Sequence, residues 1–191
     1  MNDGFYTVDN VFTEEKRQQL INDFKPFLVD GKRRSLDYNS NNYDANRYQE
    51  GFEWFKVSHP TIHLVPQFKE SHQHLMDVIK KECGLDLEVG KSWVNLSKGK
   101  RKKVEYHTHY TNEFPSRPDF SCVYYLKIPF PFFSNGTLFK DYGLVKAKQN
   151  SLMLFNPALE HSTPSSPFPF ERYVWAMDLN IKKDLVNGSN E

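Results

Sequence analysis

The sequence has little that would place it in a membrane or an oxidising compartment. No stretch approaches the roughly 18 to 20 apolar residues that a membrane span needs, so a membrane protein is not expected. Only two cysteines occur, Cys83 and Cys122, with no spacing motif between them. They read as buried free thiols in a reducing compartment. Charge of one sign is also missing: 25 basic residues meet 24 acidic ones, a net charge of +1, which gives no global pull toward nucleic acid or acidic lipid. The opening MNDGFYTVDN lacks the basic and then apolar pattern of a secretory leader, so a cytoplasmic protein is expected. At 191 residues the chain is long enough for one domain with a real core and short for two. What it has in excess is aromatics, 15% with 16 Phe and 10 Tyr. Flat side chains of that kind cover pleated sheet surfaces well.

Hydropathy patterning divides the chain into a supporting region, 1–84, a strand-rich core, 85–182, and a tail, 183–191. Residues 5–12 alternate as a short strand. Thr13 suits a helix N-cap, and Glu14 and Glu15 suit the positive end of the helix that follows. Leu20, Ile21, Phe24 and Phe27 form one helical stripe, ended or bent near Pro26. Residues 31–50 show no period and read as a long surface loop. A second helix is predicted over 66–83, with Pro66 in its first turn and Gly84 just past its end. His72 and His74 lie on it two residues apart, on different faces, where they cannot readily share a metal. Strands are predicted at 85–89, 91–98, 103–110, 120–128, 136–140, 143–148, 151–156 and 171–181, separated by Gly-, Asn- and Pro-rich turns. Helices first and about eight short strands afterwards point to an α+β, mainly β domain or a jelly roll (a double-stranded β-helix), with the N-terminal helices packed on one sheet.

Three of the seven histidines stand in a context that suggests chemistry. His107 and His109 flank Thr108 in a segment read as a strand, where side chains alternate, so both imidazoles project from one face. Two exposed strand histidines are the plain alternative. Glu105 shares that face and is a candidate third ligand or supporting residue. His161 follows the buried-looking strand SLMLF and ends a Pro-bounded turn. Arg172 then opens an apolar strand, where a buried guanidinium requires an anion. That anion is either a carboxylate of the chain, Asp178 or Glu171, or a carboxylate ligand.

These residues sit within a longer pattern. Trp93-Val94-Asn95 precedes His107-Thr108-His109, then comes the strand Ser121-Cys122-Val123-Tyr124-Tyr125-Leu126-Lys127-Ile128-Pro129, then Gly136-Thr137-Leu138-Phe139. Phe155-Asn156-Pro157-Ala158-Leu159-Glu160-His161, Pro164, Arg172 and Leu179-Asn180-Ile181 complete it. In order and spacing, residues 91–182 resemble the 2-oxoglutarate- and Fe(II)-dependent oxygenases, most closely a branch of small oxygenases found in bacteria and phages. The resemblance implies iron ligation by His107 and His161, with His109 where most of that superfamily has a carboxylate. It implies that Arg172 and Tyr125 hold the far carboxylate of 2-oxoglutarate, and that Asn95 touches co-substrate or substrate. Three departures stand out: Cys122 in place of Gly, Asn156-Pro157 in place of Phe-Pro, and His109 in place of Asp or Glu. Three neutral imidazoles carry one less negative charge than a 2-His-1-carboxylate set. Zn²⁺ or Ni²⁺ then become plausible occupants, unless Glu105 joins the ligands.

The implied reaction is a hydroxylation driven by decarboxylation of 2-oxoglutarate to succinate, with Fe(II) and O₂. Its substrate, a small molecule or a peptide, is not identified. The rim is expected from 31–58, 111–118 and 129–135. The basic run Lys98, Lys100, Arg101, Lys102, Lys103 reads first as a solvated hairpin tip and second as a contact for an anionic partner, nucleic acid included. The oligomeric state is open, a dimer included. Two other classes stand beside this reading: a cupin-like three-His metalloenzyme that does not use 2-oxoglutarate, and a non-catalytic jelly-roll binding module.

Overall fold

A computed structural model describes residues 4–27, 54–56, 62–97, 105–109, 117–128, 135–164 and 171–182. The loop expected over 31–50, the basic run at 98–103 and the tail 183–191 lie outside these.

The chain opens with strand β1 (Phe5–Val8) and helix α1 (Glu14–Phe24). Thr13 caps the helix as its type predicts, its hydroxyl accepting from Lys16 N at 3.2 Å. Pro26 falls in a 3-10 turn, Lys25–Phe27, which ends it. Strand β2 (Trp54–Lys56) follows, and then helix α2 (Lys69–Cys83), entered through a 3-10 turn at Pro66–Phe68. Gly84 ends α2 at φ 71°, the left-handed conformation for which glycine is suited.

The remaining strands are β3 (Leu87–Ser97), β4 (Phe120–Lys127), β5 (Gly136–Phe139), β6 (Gly143–Lys146), β7 (Ser151–Phe155), β8 (His161–Ser162) and β9 (Arg172–Ile181). Two strands were expected on either side of Gly90. They form one, and the break appears only as a register shift between Val89 and Lys91 against β9. Strand β1 is shorter than the expected 5–12. The strand expected at 103–110 is reduced, within the described 105–109, to one antiparallel bridge between His107 and His161.

The strands form two sheets, one in the order β1-β7-β4-β9-β3-β2 and one in the order β6-β5-β8, all pairs antiparallel. Both faces of the larger sheet are packed. Tyr173, Trp175, Met177 and Leu179 of β9 join Leu20, Ile21 and Phe24 of α1 and Leu75, Met76 and Ile79 of α2 in the main core. Arg17 ties α1 to the same sheet, donating to the Leu126 carbonyl. On the other face Val123, Tyr125, Met153, Phe155 and Val174 pack against Phe139 of the smaller sheet. Two antiparallel sheets face to face, with helices outside the larger, make a jelly roll with N-terminal helical support. No helix among the described residues is long and apolar enough to cross a membrane.

Candidate metal centre

Register lays out the inner face of the larger sheet in rows, because directly paired residues share a face. Phe155, Ser121 and Asp178 form one row, Met153, Val123, Ala176 and Trp93 the next, and Ser151, Tyr125, Val174 and Asn95 the third. Arg172 follows on β9, six residues and therefore the same parity from Asp178.

The three histidines converge beside the first row. Backbone hydrogen bonds in both directions between His107 and His161, 3.0 and 2.9 Å, lock the two segments together. His109 N donates to the Pro157 carbonyl at 3.1 Å. These bonds do the work expected of a regular strand at 103–110 and bring both imidazoles onto the turn that carries His161. The ring centroids lie 4.5 Å (His107–His161), 4.9 Å (His109–His161) and 5.5 Å (His107–His109) apart. One ligand nitrogen from each falls within 4.8 Å of the others.

Each ring also has its Nδ1 engaged. His161 Nδ1 donates to the Leu159 carbonyl at 2.8 Å, and His107 Nδ1 to the Glu105 carbonyl at 3.3 Å. His109 Nδ1 donates to Asp178 Oδ1 at 2.6 Å. A proton held on Nδ1 puts the ring's lone pair on Nε2, the tautomer that metal-binding histidines need when Nε2 is the ligand atom. Burial, and after it the neighbouring His109, lowers the His161 pKa to about 4, so its ring is neutral at physiological pH. Phe155 and Phe139 pack on His161, and Trp93 on His109, so the cluster sits in an aromatic setting. Glu105 stands exposed; its carbonyl rather than its carboxylate serves the cluster.

Farther along the face, Arg172 is 3% exposed. Its Nη2 donates to the Gly136 carbonyl at 3.0 Å, its guanidinium lies 5.6 Å from the centroid of the Tyr125 ring, and its Nε has no hydrogen-bond partner. Neither expected protein partner takes it: Asp178 pairs with His109, and Glu171 with Lys127 at 3.0 Å. The Tyr125 hydroxyl is buried and 2.7 Å from Thr137 Oγ1. The Asn95 Oδ1 is buried without a partner. Gly136 is required where it stands: φ is +138°, and a Cβ would meet the Val145 carbonyl oxygen at 2.0 Å.

The other histidines among the described residues go elsewhere. His74 lies 2.7 Å from the Val11 carbonyl, and His72 lies against His63 and Trp175. The two α2 histidines therefore serve different faces, as their spacing predicts. Sequence reasoning missed the role of Asp178, which it weighed only as a partner for Arg172. It also passed over Ser121 and Thr137. Position parity along β9 was the available signal, since Asp178 and Arg172 must share a face.

No protein-family description and no curated protein sequence matches the chain. Solved structures do match in fold. HygX from Streptomyces hygroscopicus, with nickel and 2-oxoglutarate bound, superposes with a TM-score of 0.58 at 12% identity over 94% of this chain and 83% of that one. A Pseudomonas putida prolyl-4-hydroxylase gives 0.53 at 14% identity over 95% of each chain. EctD from S. alaskensis with bound Fe gives 0.60 at 16% identity, covering 94% of this chain and 73% of that one. At such identities the likeness is one of fold.

Proposed function

We propose that this chain is an oxygenase of the hydroxylase type that holds Fe(II) through His107, His109 and His161 and uses 2-oxoglutarate and O₂ as co-substrates. The observation that carries this reading is Arg172: a buried guanidinium with an orphaned Nε, on the sheet face that leads to the three imidazoles. A charge in that setting requires an anion, and none of the described carboxylates supplies it. The far carboxylate of 2-oxoglutarate fits that requirement, with its other end directed toward the imidazole cluster.

Iron with its two co-substrates would supply the oxidising chemistry, with 2-oxoglutarate leaving as succinate and CO₂. The chain's residues bind, orient and shield. Arg172 and Tyr125 hold the far carboxylate, Tyr125 within reach through the hydroxyl it now shares with Thr137. Asn95, its Oδ1 free on the neighbouring strand, faces the same space and is placed to touch co-substrate or substrate. Phe139 and Phe155 cover one side of His161 and Trp93 one side of His109, shielding those two rings in part from water. The fold shared with HygX, the prolyl-4-hydroxylase and EctD supports the reading. The substrate class is a small molecule or peptide with a C–H bond that the inter-sheet space can hold near the metal.

The three-imidazole donor set itself favours a second reading, a metalloenzyme of cupin type that makes no use of 2-oxoglutarate. Succinate release from 2-oxoglutarate, measured with Fe(II), ascorbate and air but no added substrate, separates the two. The expected result is slow uncoupled turnover that His161→Ala abolishes. Tight metal binding with no succinate would favour the second reading and overturn the first.

A further inference from the structure

The row Phe155, Ser121, Asp178 contains the feature that the donor set leaves unexplained. Three neutral imidazoles provide no negative charge, and divalent iron is held better by a set that does. Asp178 lies immediately behind one of them. Its Oδ1 is 2.6 Å from His109 Nδ1, and the side chains of His109 and Asp178 are 12% and 11% exposed. Ser121 Oγ lies 3.0 Å from the same Nδ1 and donates to the same carboxylate oxygen at 3.3 Å. Ser121 and Asp178 are direct cross-strand partners in the β4–β9 ladder, so the arrangement is held by sheet register rather than by a loop. Asp178 contributes no atom to the cluster of ligand nitrogens. It acts from the far side of the ring.

We propose that Asp178 is a positioning residue of the metal centre: through His109 Nδ1 it holds that ring with Nε2 toward the metal and returns the negative charge that a third imidazole lacks. The inference rests on the reading of the three histidines as a metal site. A carboxylate that accepts the Nδ1 proton fixes the tautomer and makes the opposite nitrogen a stronger donor. The count of charge follows. Three neutral imidazoles with one carboxylate behind them carry −1, the same as two imidazoles and one carboxylate ligand. His109 with Asp178 is thus a relay version of the single carboxylate that the resemblance leads one to expect at this position. It also explains why a carboxylate is buried beside Phe155, Val123 and Ala176, where it would be costly if unpaired.

The test is metal binding by the full chain, stripped of metal and titrated anaerobically with Fe(II) and separately with Co(II), whose visible spectrum reports ligand geometry. Asp178→Asn is expected to fold normally by circular dichroism, to bind Fe(II) about 10- to 100-fold more weakly and to show altered Co(II) bands. Asp178→Glu should recover part of the affinity. In His109→Asp the ring through which Asp178 acts is gone, so adding Asp178→Asn to it, as H109D/D178N, should weaken Fe(II) binding far less than Asp178→Asn does in the native chain. If Asp178→Asn alone does not fold, Asp178→Glu, which keeps the charge but displaces the carboxylate from Nδ1, carries the test through its own change in affinity and Co(II) bands. Equal affinities and identical Co(II) spectra for the native chain and the Asp178 variant that folds would overturn the proposal, as would an equal loss from Asp178→Asn in the native and His109→Asp backgrounds. If the native chain binds neither ion, the metal-site reading fails and takes this inference with it.

Discussion

Arg172 holds a positive charge at 3% exposure, and among the described residues it meets the Gly136 carbonyl and the Tyr125 ring, with its Nε orphaned. Burial of an ion costs several kcal/mol unless an anion compensates it, so the native chain without ligand carries a local destabilisation. Two effects follow for Arg172→Met, a change that keeps an unbranched stem and removes the charge. Melting temperature without ligand should stay level or rise. Addition of 2-oxoglutarate should raise the melting temperature of the native chain and leave the variant unmoved, with affinity lowered about 100-fold or more, the scale for losing a buried charge partner. A variant that melts lower without ligand and still responds to 2-oxoglutarate would show that Arg172 serves the fold alone. At this scale the sequence was informative where chemistry is unusual for its surroundings. A strand-borne H-x-H and an Arg entering an apolar strand stand out by type. Asp178 did not, because its partner is chosen by which strand lies beside β9 and by how the 105–109 segment folds over it, and neither is a local property.

Elements with local causes were readable from the sequence. Thr13 and the Pro66–Gly84 pair bound the two helices because caps and left-handed turns act within a few residues. Elements made by distant pairing were harder. Gly90 looked like a turn but sits within one strand, its neighbours held by Asp178 and Leu179 across β9. Strands β2 and β8 exist through their partners β3 and β5 and have no pattern of their own at three and two residues. Helix α2 also carries a pH-sensitive group. Burial, and then His63 beside it, lowers the His72 pKa from 6.5 to about 4, and its Nε2 has no partner. Between those two values the unfolded chain binds a proton that the folded chain excludes. Stability from this source is complete above pH 6.5 and is lost as pH falls toward 4. His161, lowered to about 4 as well, acts in the same sense. In metal-free protein, His72→Phe should melt close to the native chain at pH 7 and measurably higher at pH 4.5. Parallel melting curves across that range would remove His72 from the acid transition.

Over the whole molecule, the larger sheet divides the work between its faces. One face is closed by α1, α2 and a continuous apolar core. The other is packed against the smaller sheet along part of its length, with imidazoles beside one row and a buried guanidinium farther along β9. On the proposed reading, a rigid, helix-backed sheet whose strand β9 carries Arg172 and, six residues on, Asp178 bonded to His109 is well suited to hold a short dicarboxylate in a fixed direction. The alternation of β9 makes that possible, since Arg172, Val174, Ala176 and Asp178 must all look inward when Tyr173, Trp175, Met177 and Leu179 look toward the helices. This global division was legible as helices followed by strands, whereas the closing of His107 onto His161 was not. The central claim is that one metal ion and 2-oxoglutarate meet at the three histidines. Its most direct measurement is an anaerobic titration of the Fe(II)-loaded chain with 2-oxoglutarate, followed in the visible. Chelation of Fe(II) by a 2-oxo acid is expected to produce a charge-transfer band that saturates at one equivalent and is absent in His161→Ala. Stoichiometric Fe(II) binding with no such band at saturating 2-oxoglutarate would contradict the account.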